Sequence, residues 1–80
     1  MITYLKKKEV TDKVIVYYYS GNKDNIDGIV KILREDEDLP PQFTPATGDE
    51  NLYFAKQATF AIVEFDEKNE FPDTYMRAIG

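Results

Sequence analysis

Asp49-Glu50-Asn51-Leu52-Tyr53-Phe54-Ala55-Lys56-Gln57-Ala58-Thr59-Phe60-Ala61-Ile62-Val63-Glu64-Phe65-Asp66-Glu67 is the stretch whose reading decides the fold. At about 100° per residue, Phe54, Ala55, Ala58, Ala61, Ile62 and Phe65 share one arc of roughly 120° with no polar residue inside it. Read as a strand, residues 59–65 leave no such clean face. Thr47 with Glu50 matches a capping box, which sets Thr47 as the N-cap and Glu50 at the third helical position. The spacing therefore predicts one helix over about 49–67, stopped by Asn69. Ala55, Ala58 and Ala61 on its inner face would let its backbone approach a sheet closely.

Working outward, the sheet comes from the N-terminal half. Val14-Ile15-Val16-Tyr17-Tyr18-Tyr19 is a run of β-branched and aromatic residues ended by Ser20-Gly21-Asn22, and it reads as a strand apolar on both faces. Residues 2–8 predict a weaker strand before it, with a turn near Thr11-Asp12. Residues 26–34 carry two signals. Ile26, Ile29, Val30 and Leu33 follow helical spacing, whereas Gly28-Ile29-Val30-Lys31-Ile32-Leu33 is β-rich and contains a glycine that costs a helix about 1 kcal/mol. The strand is favoured. Residues 35–48 hold the acidic run Glu35 to Asp38 and then Pro40, Pro41 and Pro45, an extended loop. Phe71-Pro72-Asp73 is a turn, and Thr74 to Ile79 reads as a short final strand. The expectation is one α+β domain over residues 1–80. Three N-terminal strands and a C-terminal strand make a small, mostly antiparallel sheet covered on one face by one long helix.

The tract from Tyr53 to Gly80 pairs a helix carrying Ala58 and Ile62 with Asn69-Glu70-Phe71-Pro72-Asp73. It resembles the ends of many small uncharacterised bacterial proteins. That resemblance covers about the last third of the chain, carries no known activity and implies no catalytic residue.

Composition narrows the chemistry. The chain has no histidine, no cysteine and no tryptophan, and Ser20 is its single serine. No imidazole titrates near neutral pH, and no thiol offers a nucleophile, a disulfide or the usual zinc ligand. The motifs that remain are weak. Ser20-Gly21-Asn22-Lys23 spells the S-x-x-K of serine–lysine enzymes without the K-T-G element, and it reads better as a turn. Aligning Gly28 with the glycine of a calcium loop puts Lys23 and Arg34 at liganding positions, which defeats that match. The acidic run is a solvated charge cluster, and paired carboxylates are too many to single out. Pro41 and Pro45 are four apart, not the three of P-x-x-P. Glu50-Asn51-Leu52-Tyr53-Phe54 copies the start of a protease site, but Ala55 stands where that site requires Gln. No catalytic residue, no cofactor and no metal ligand is expected.

Charge is uneven. Residues 1–34 carry seven Lys or Arg against four Asp or Glu, a net +3; residues 35–80 carry three against eleven, a net −8, and together these make the total of −5. Nucleic acid is not an expected partner, because phosphate contacts need positive potential. Lys6-Lys7-Lys8 near Tyr17, Tyr18 and Tyr19 reads as a lysine-protected edge rather than a basic binding face. No apolar run approaches ~18 residues, so no membrane span is expected, and the N-terminus lacks a signal-peptide core. The expected compartment is the cytoplasm.

Two features point to binding. Tyr53, Phe60 and Val63 lie within about 80° of each other on the polar side of the helix, where a sheet-covering helix needs no second apolar stripe. The proline loop, through Leu39 and Phe43, would cover them; otherwise they form a contact surface. On the tyrosine strand, either Tyr17 and Tyr19 or Val16 and Tyr18 face away from the helix, and Tyr17 and Tyr19 are taken as candidates. The sequence thus predicts a small acidic non-enzymatic interaction module that self-associates, as a homodimer for example, or docks on a protein partner. Its candidate surface is Tyr53, Phe60, Val63, Tyr17 and Tyr19. The alternative is an acidic inhibitor or decoy of a basic protein.

Overall fold

A computed structural model describes residues 1–36 and 38–78. Its strands are β1 (Ile2–Val10), β2 (Val14–Ser20), β3 (Gly28–Leu33), β4 (Gln42–Thr44) and β5 (Thr74–Ala78), and its helix is α1 (Tyr53–Lys68). The fold is α+β. The strands form one sheet in the order β4-β3-β2-β1-β5, antiparallel throughout, with α1 packed across one face.

The ambiguous segment 26–34 resolves as strand. Gly28 faces Tyr19 across the β2–β3 ladder, and a Cβ on it would come within 2.4 Å of the Tyr19 ring and 2.8 Å of Ala46. The glycine that would weaken a helix is here the space that the tyrosine ring occupies. Thr11 makes the β1–β2 turn, its hydroxyl accepting from the amides of Lys13 and Val14. An irregularity at Lys7–Glu9 inserts one residue into β1. It keeps Val10 on the core side opposite Ile15, as a bulge does. The expected loop of residues 35–48 is corrected by β4, since Gln42–Thr44 pairs with Ile29–Lys31. Pro41 and Pro45 bracket a piece too short to show alternation. Glu37 of the acidic run and Ile79 of the final strand lie outside the described residues.

The helix begins at Tyr53, four residues after the expected start, because its cap is not the one that the capping box suggested. Asp49 is buried, and its carboxylate accepts from the amides of Phe54 and Ala55 at 3.0 Å each. Thr47 instead turns to the β2–β3 loop, donating from its amide (3.0 Å) and its hydroxyl (2.5 Å) to Asp27. Leu52 takes a left-handed conformation (φ 58°) to enter the helix, a strained choice for a residue with a Cβ. Asn69 ends the helix as expected. It too is left-handed, with its amide on the Asp66 carbonyl and that of Glu70 on Phe65, a Schellman closure.

The core lies between α1 and the sheet face carrying Leu5, Ile15, Tyr17, Tyr19 and Val30, and the helix contributes Ala55, Ala58, Ala61, Ile62 and Phe65. Five of the six inner-arc residues are buried; Phe54 is half-buried, its ring lying against Gly21. Phe65 sits between Tyr17 (centroids 5.5 Å) and Tyr75 (4.9 Å, edge-on). The hydroxyl of Thr3 is buried without a hydrogen-bond partner among the described residues.

Two substitutions test this packing. Thr3→Val keeps the shape and removes an unpaired buried hydroxyl, so it should stabilise the fold by about 1 kcal/mol and raise Tm by roughly 4 °C or more. Asp49→Ala should cost about 2 kcal/mol, and Thr47→Ala under half of that, if Asp49 is the cap. Thermal melts followed by circular dichroism read both.

Candidate interaction surface

Tyr17 and Tyr19 belong to the core, which corrects their place among the candidate surface residues. Both are fully buried. The register of β2 sets Ile15, Tyr17 and Tyr19 under the helix and leaves Val14, Val16 and Tyr18 on the open side. Sequence alternation could not choose between the two faces, because both are apolar. The hydroxyls then account for the tyrosines. That of Tyr19 donates to the Asp49 carboxylate (2.6 Å) and accepts from the Ala46 amide (3.1 Å). That of Tyr17 donates to the Pro72 carbonyl (2.7 Å). One ties down the entry to the helix and the other the turn after it. Burial, with the Asp73 charge added, pushes the Tyr17 phenol up to about 12. Burial and the bond to Asp49 push Tyr19 up as well.

Two more side chains brace the same turn. Lys7 donates to the Phe71 carbonyl (3.2 Å) and meets the Asp73 carboxylate at 2.8 Å, which holds that carboxyl below its ordinary range. Arg34 reaches the Thr11 carbonyl (2.7 Å) and Asp66 (2.8 Å) and lies over the Phe71 ring. The motifs set aside on sequence grounds have local roles. Ser20 is buried and accepts from the Asn22 amide. Asn22 accepts from the Asp24 amide, and Asp27, its carboxyl held down by the two donors of Thr47, pins the loops together. Among the described residues no three acidic groups stand close enough to hold a metal ion.

The helix stripe is where the sequence placed it. Tyr53 is 40% exposed, Phe60 54% and Val63 44%. The proline loop does not bury them, for Leu39 is itself exposed and Phe43 packs instead against the core. Tyr53 stands edge-on to Phe54 (5.2 Å). The exposed residues Lys56 and Glu67 flank the stripe, as does half-buried Glu64, which meets Arg77 at 3.2 Å. This arrangement leaves apolar surface exposed within a charged rim.

The open side of the sheet is a second apolar area that the sequence reading undervalued. Tyr4, Val14, Tyr18, Ile29 and Leu33 are half-buried there, and Met76 is 66% exposed. Lys6, Lys8 and Lys31 stand among them, Lys8 over the Tyr18 ring. The alternation of Met76 and Ala78 in β5 was the available signal, but five residues are too few to show which side faces solvent. Comparison with family models, with curated proteins and with solved structures finds no match.

The two phenols set the alkaline limit. In the unfolded chain a tyrosine ionises near 10, so the folded state holds more protons above that pH. The contribution of these two phenols to stability should be level below pH 10 and fall as pH rises towards 12. At neutral pH, Tyr17→Phe should cost about 1 kcal/mol. Tyr19→Phe should cost roughly 2–3 kcal/mol, because it strips a donor from a buried carboxylate. Urea unfolding at pH 8 and pH 11 checks the order and the sign.

Proposed function

We propose that this chain is a small non-enzymatic interaction module that presents the helix stripe Tyr53–Phe60–Val63 to another protein. The observation that carries the reading is that three large apolar side chains stand uncovered on a helix whose other face already closes the core. A helix that only had to cover the sheet would carry polar residues at these positions. An aromatic cluster rimmed by lysine and glutamate suits a partner surface that is apolar at its centre and polar at its edge. The net −5 charge and the acidic C-terminal half favour a protein partner over nucleic acid.

A second reading, an acidic inhibitor or decoy of a basic protein, draws on the exposed Asp66 and Glu67 beside the stripe. The two differ in salt response. Charge-led binding weakens steeply as ionic strength rises, and apolar docking does not.

Phe60→Asp and Val63→Asp change exposed positions and should alter stability by no more than about 0.5 kcal/mol each. They should abolish contact through the stripe. A photo-crosslinking residue at position 60 should give a discrete adduct in cells of the source organism, and one at exposed Asp12 should not. No adduct from position 60 would sink the reading.

A further inference from the structure

The sheet has two outer edges, and they are built differently. β4 is three residues long and lies between Pro41 and Pro45, which carry no N–H. Such an edge is protected from pairing. β5 runs for five residues with no proline, no glycine and no irregularity in its pairing with β1. Its single charge, Arg77, is matched by Glu64 on the helix side. Among the described residues no strand lies beyond it.

The direction of its free backbone groups follows from one bond. The Lys7 amide donates to the Asp73 carbonyl at 2.8 Å, in line with the β1–β5 register of Ile2 with Ala78 and Lys6 with Thr74. Closely bonded pairs recur at every second residue of an antiparallel ladder. Leu5 with Tyr75 and Thr3 with Arg77 are therefore the bonded pairs. The N–H and C=O groups of Thr74, Met76 and Ala78 point outward.

We infer that β5 pairs with β5 of a second copy about a two-fold axis at Met76, joining two five-stranded sheets into one. In this register Met76 faces Met76 of the second copy and each exchanges both backbone bonds. Thr74 faces Ala78 in both directions. Met76 thus supplies two hydrogen bonds and the two Thr74–Ala78 pairs two each, six in all. On the helix side, Tyr75 of each copy faces Arg77 of the other. Tyr75 already rests edge-on against Phe65, and its other side receives the guanidinium in a cation–π contact. The two arginines stand diagonally, each neutralised by its own Glu64. On the open side, exposed Met76 packs on its counterpart and extends the apolar row begun by Tyr4. Moving the axis to Arg77 would set two guanidinium groups face to face, and moving it to Tyr75 would run Ala78 against Pro72, which has no N–H. The axis stands perpendicular to the sheet, so both helices lie on one side of it. The inference is independent of the reading of the helix stripe.

Sedimentation equilibrium from micromolar to millimolar protein should show the mass rising from 9.3 kDa towards twice that value. Amide exchange should slow with concentration at Thr74, Met76 and Ala78, while Tyr75 and Arg77 stay protected throughout. Met76→Pro removes an outward N–H that makes no bond to β1, and should give a folded monomer. Met76→Lys, which sets two ammonium groups across the axis without touching the backbone, should do the same if the proline disturbs β5. Phe60→Asp should leave the dimer intact. A monomer at millimolar concentration, or a dimer that survives both Met76 variants, overturns the pairing. A dimer lost only in Phe60→Asp would also overturn it and assign self-association to the helix stripe.

Discussion

Two phenol hydroxyls on one strand hold this molecule together. Tyr17 and Tyr19 lie under the helix with their rings in the core, and their hydroxyls emerge at opposite ends of it. Tyr19 meets the carboxylate that caps the helix, and Tyr17 meets the carbonyl of the turn that returns the chain to the sheet. The helix is thereby clamped at both ends by a single strand. A chain of 80 residues buries only about 60–65% of its unfolded surface. Here each ring adds apolar area, and each hydroxyl ties a distant segment to β2, that of Tyr19 also pairing the buried Ala46 amide.

The rest of the packing accommodates those rings. Gly28 opposite Tyr19 leaves room for the ring, and Ala46 closes over it, with a backbone amide supplying the second bond to the phenol. Ala55, Ala58 and Ala61 let the helix settle low on the sheet, where larger side chains would hold it off the tyrosine layer. Leu52 accepts a left-handed backbone because the Asp49 cap fixes where the helix must begin. A local rule is broken at one residue so that a buried carboxylate can reach two amides and a phenol.

The outer surfaces differ in charge without being of one sign, since Glu9 stands on the open sheet face and Lys56 and Lys68 on the helix. Lys6, Lys8 and Lys31 mark the open sheet face, while Glu64, Asp66 and Glu67 cluster on the helix. Apolar groups remain exposed on both sides, and the edge strand β5 is left without the devices that guard β4. No helix of the described residues is long and apolar enough to cross a membrane, so these exposed groups are not explained by a helical span.

The sequence alone determined the helix and its inner face, the tyrosine strand, the turn at Phe71–Asp73, the stop at Asn69 and the α+β class. Each of these rests on local periodicity or local turn chemistry. It also marked Tyr53, Phe60 and Val63, because a second apolar stripe is visible on a helical projection without knowledge of its neighbours. Only the tertiary structure decided which face of β2 goes inside, since a strand apolar on both sides carries no label for its orientation. It moved the cap from Thr47 to Asp49, because that choice depends on a tyrosine thirty residues earlier in the chain. Thr47 was then free to bond Asp27. It turned part of the proline loop into β4, which is held by β3 and not by its own propensity. Bonds between residues distant in the chain are absent from any local pattern, and in this protein those bonds set the helix start, the buried face and the free edge.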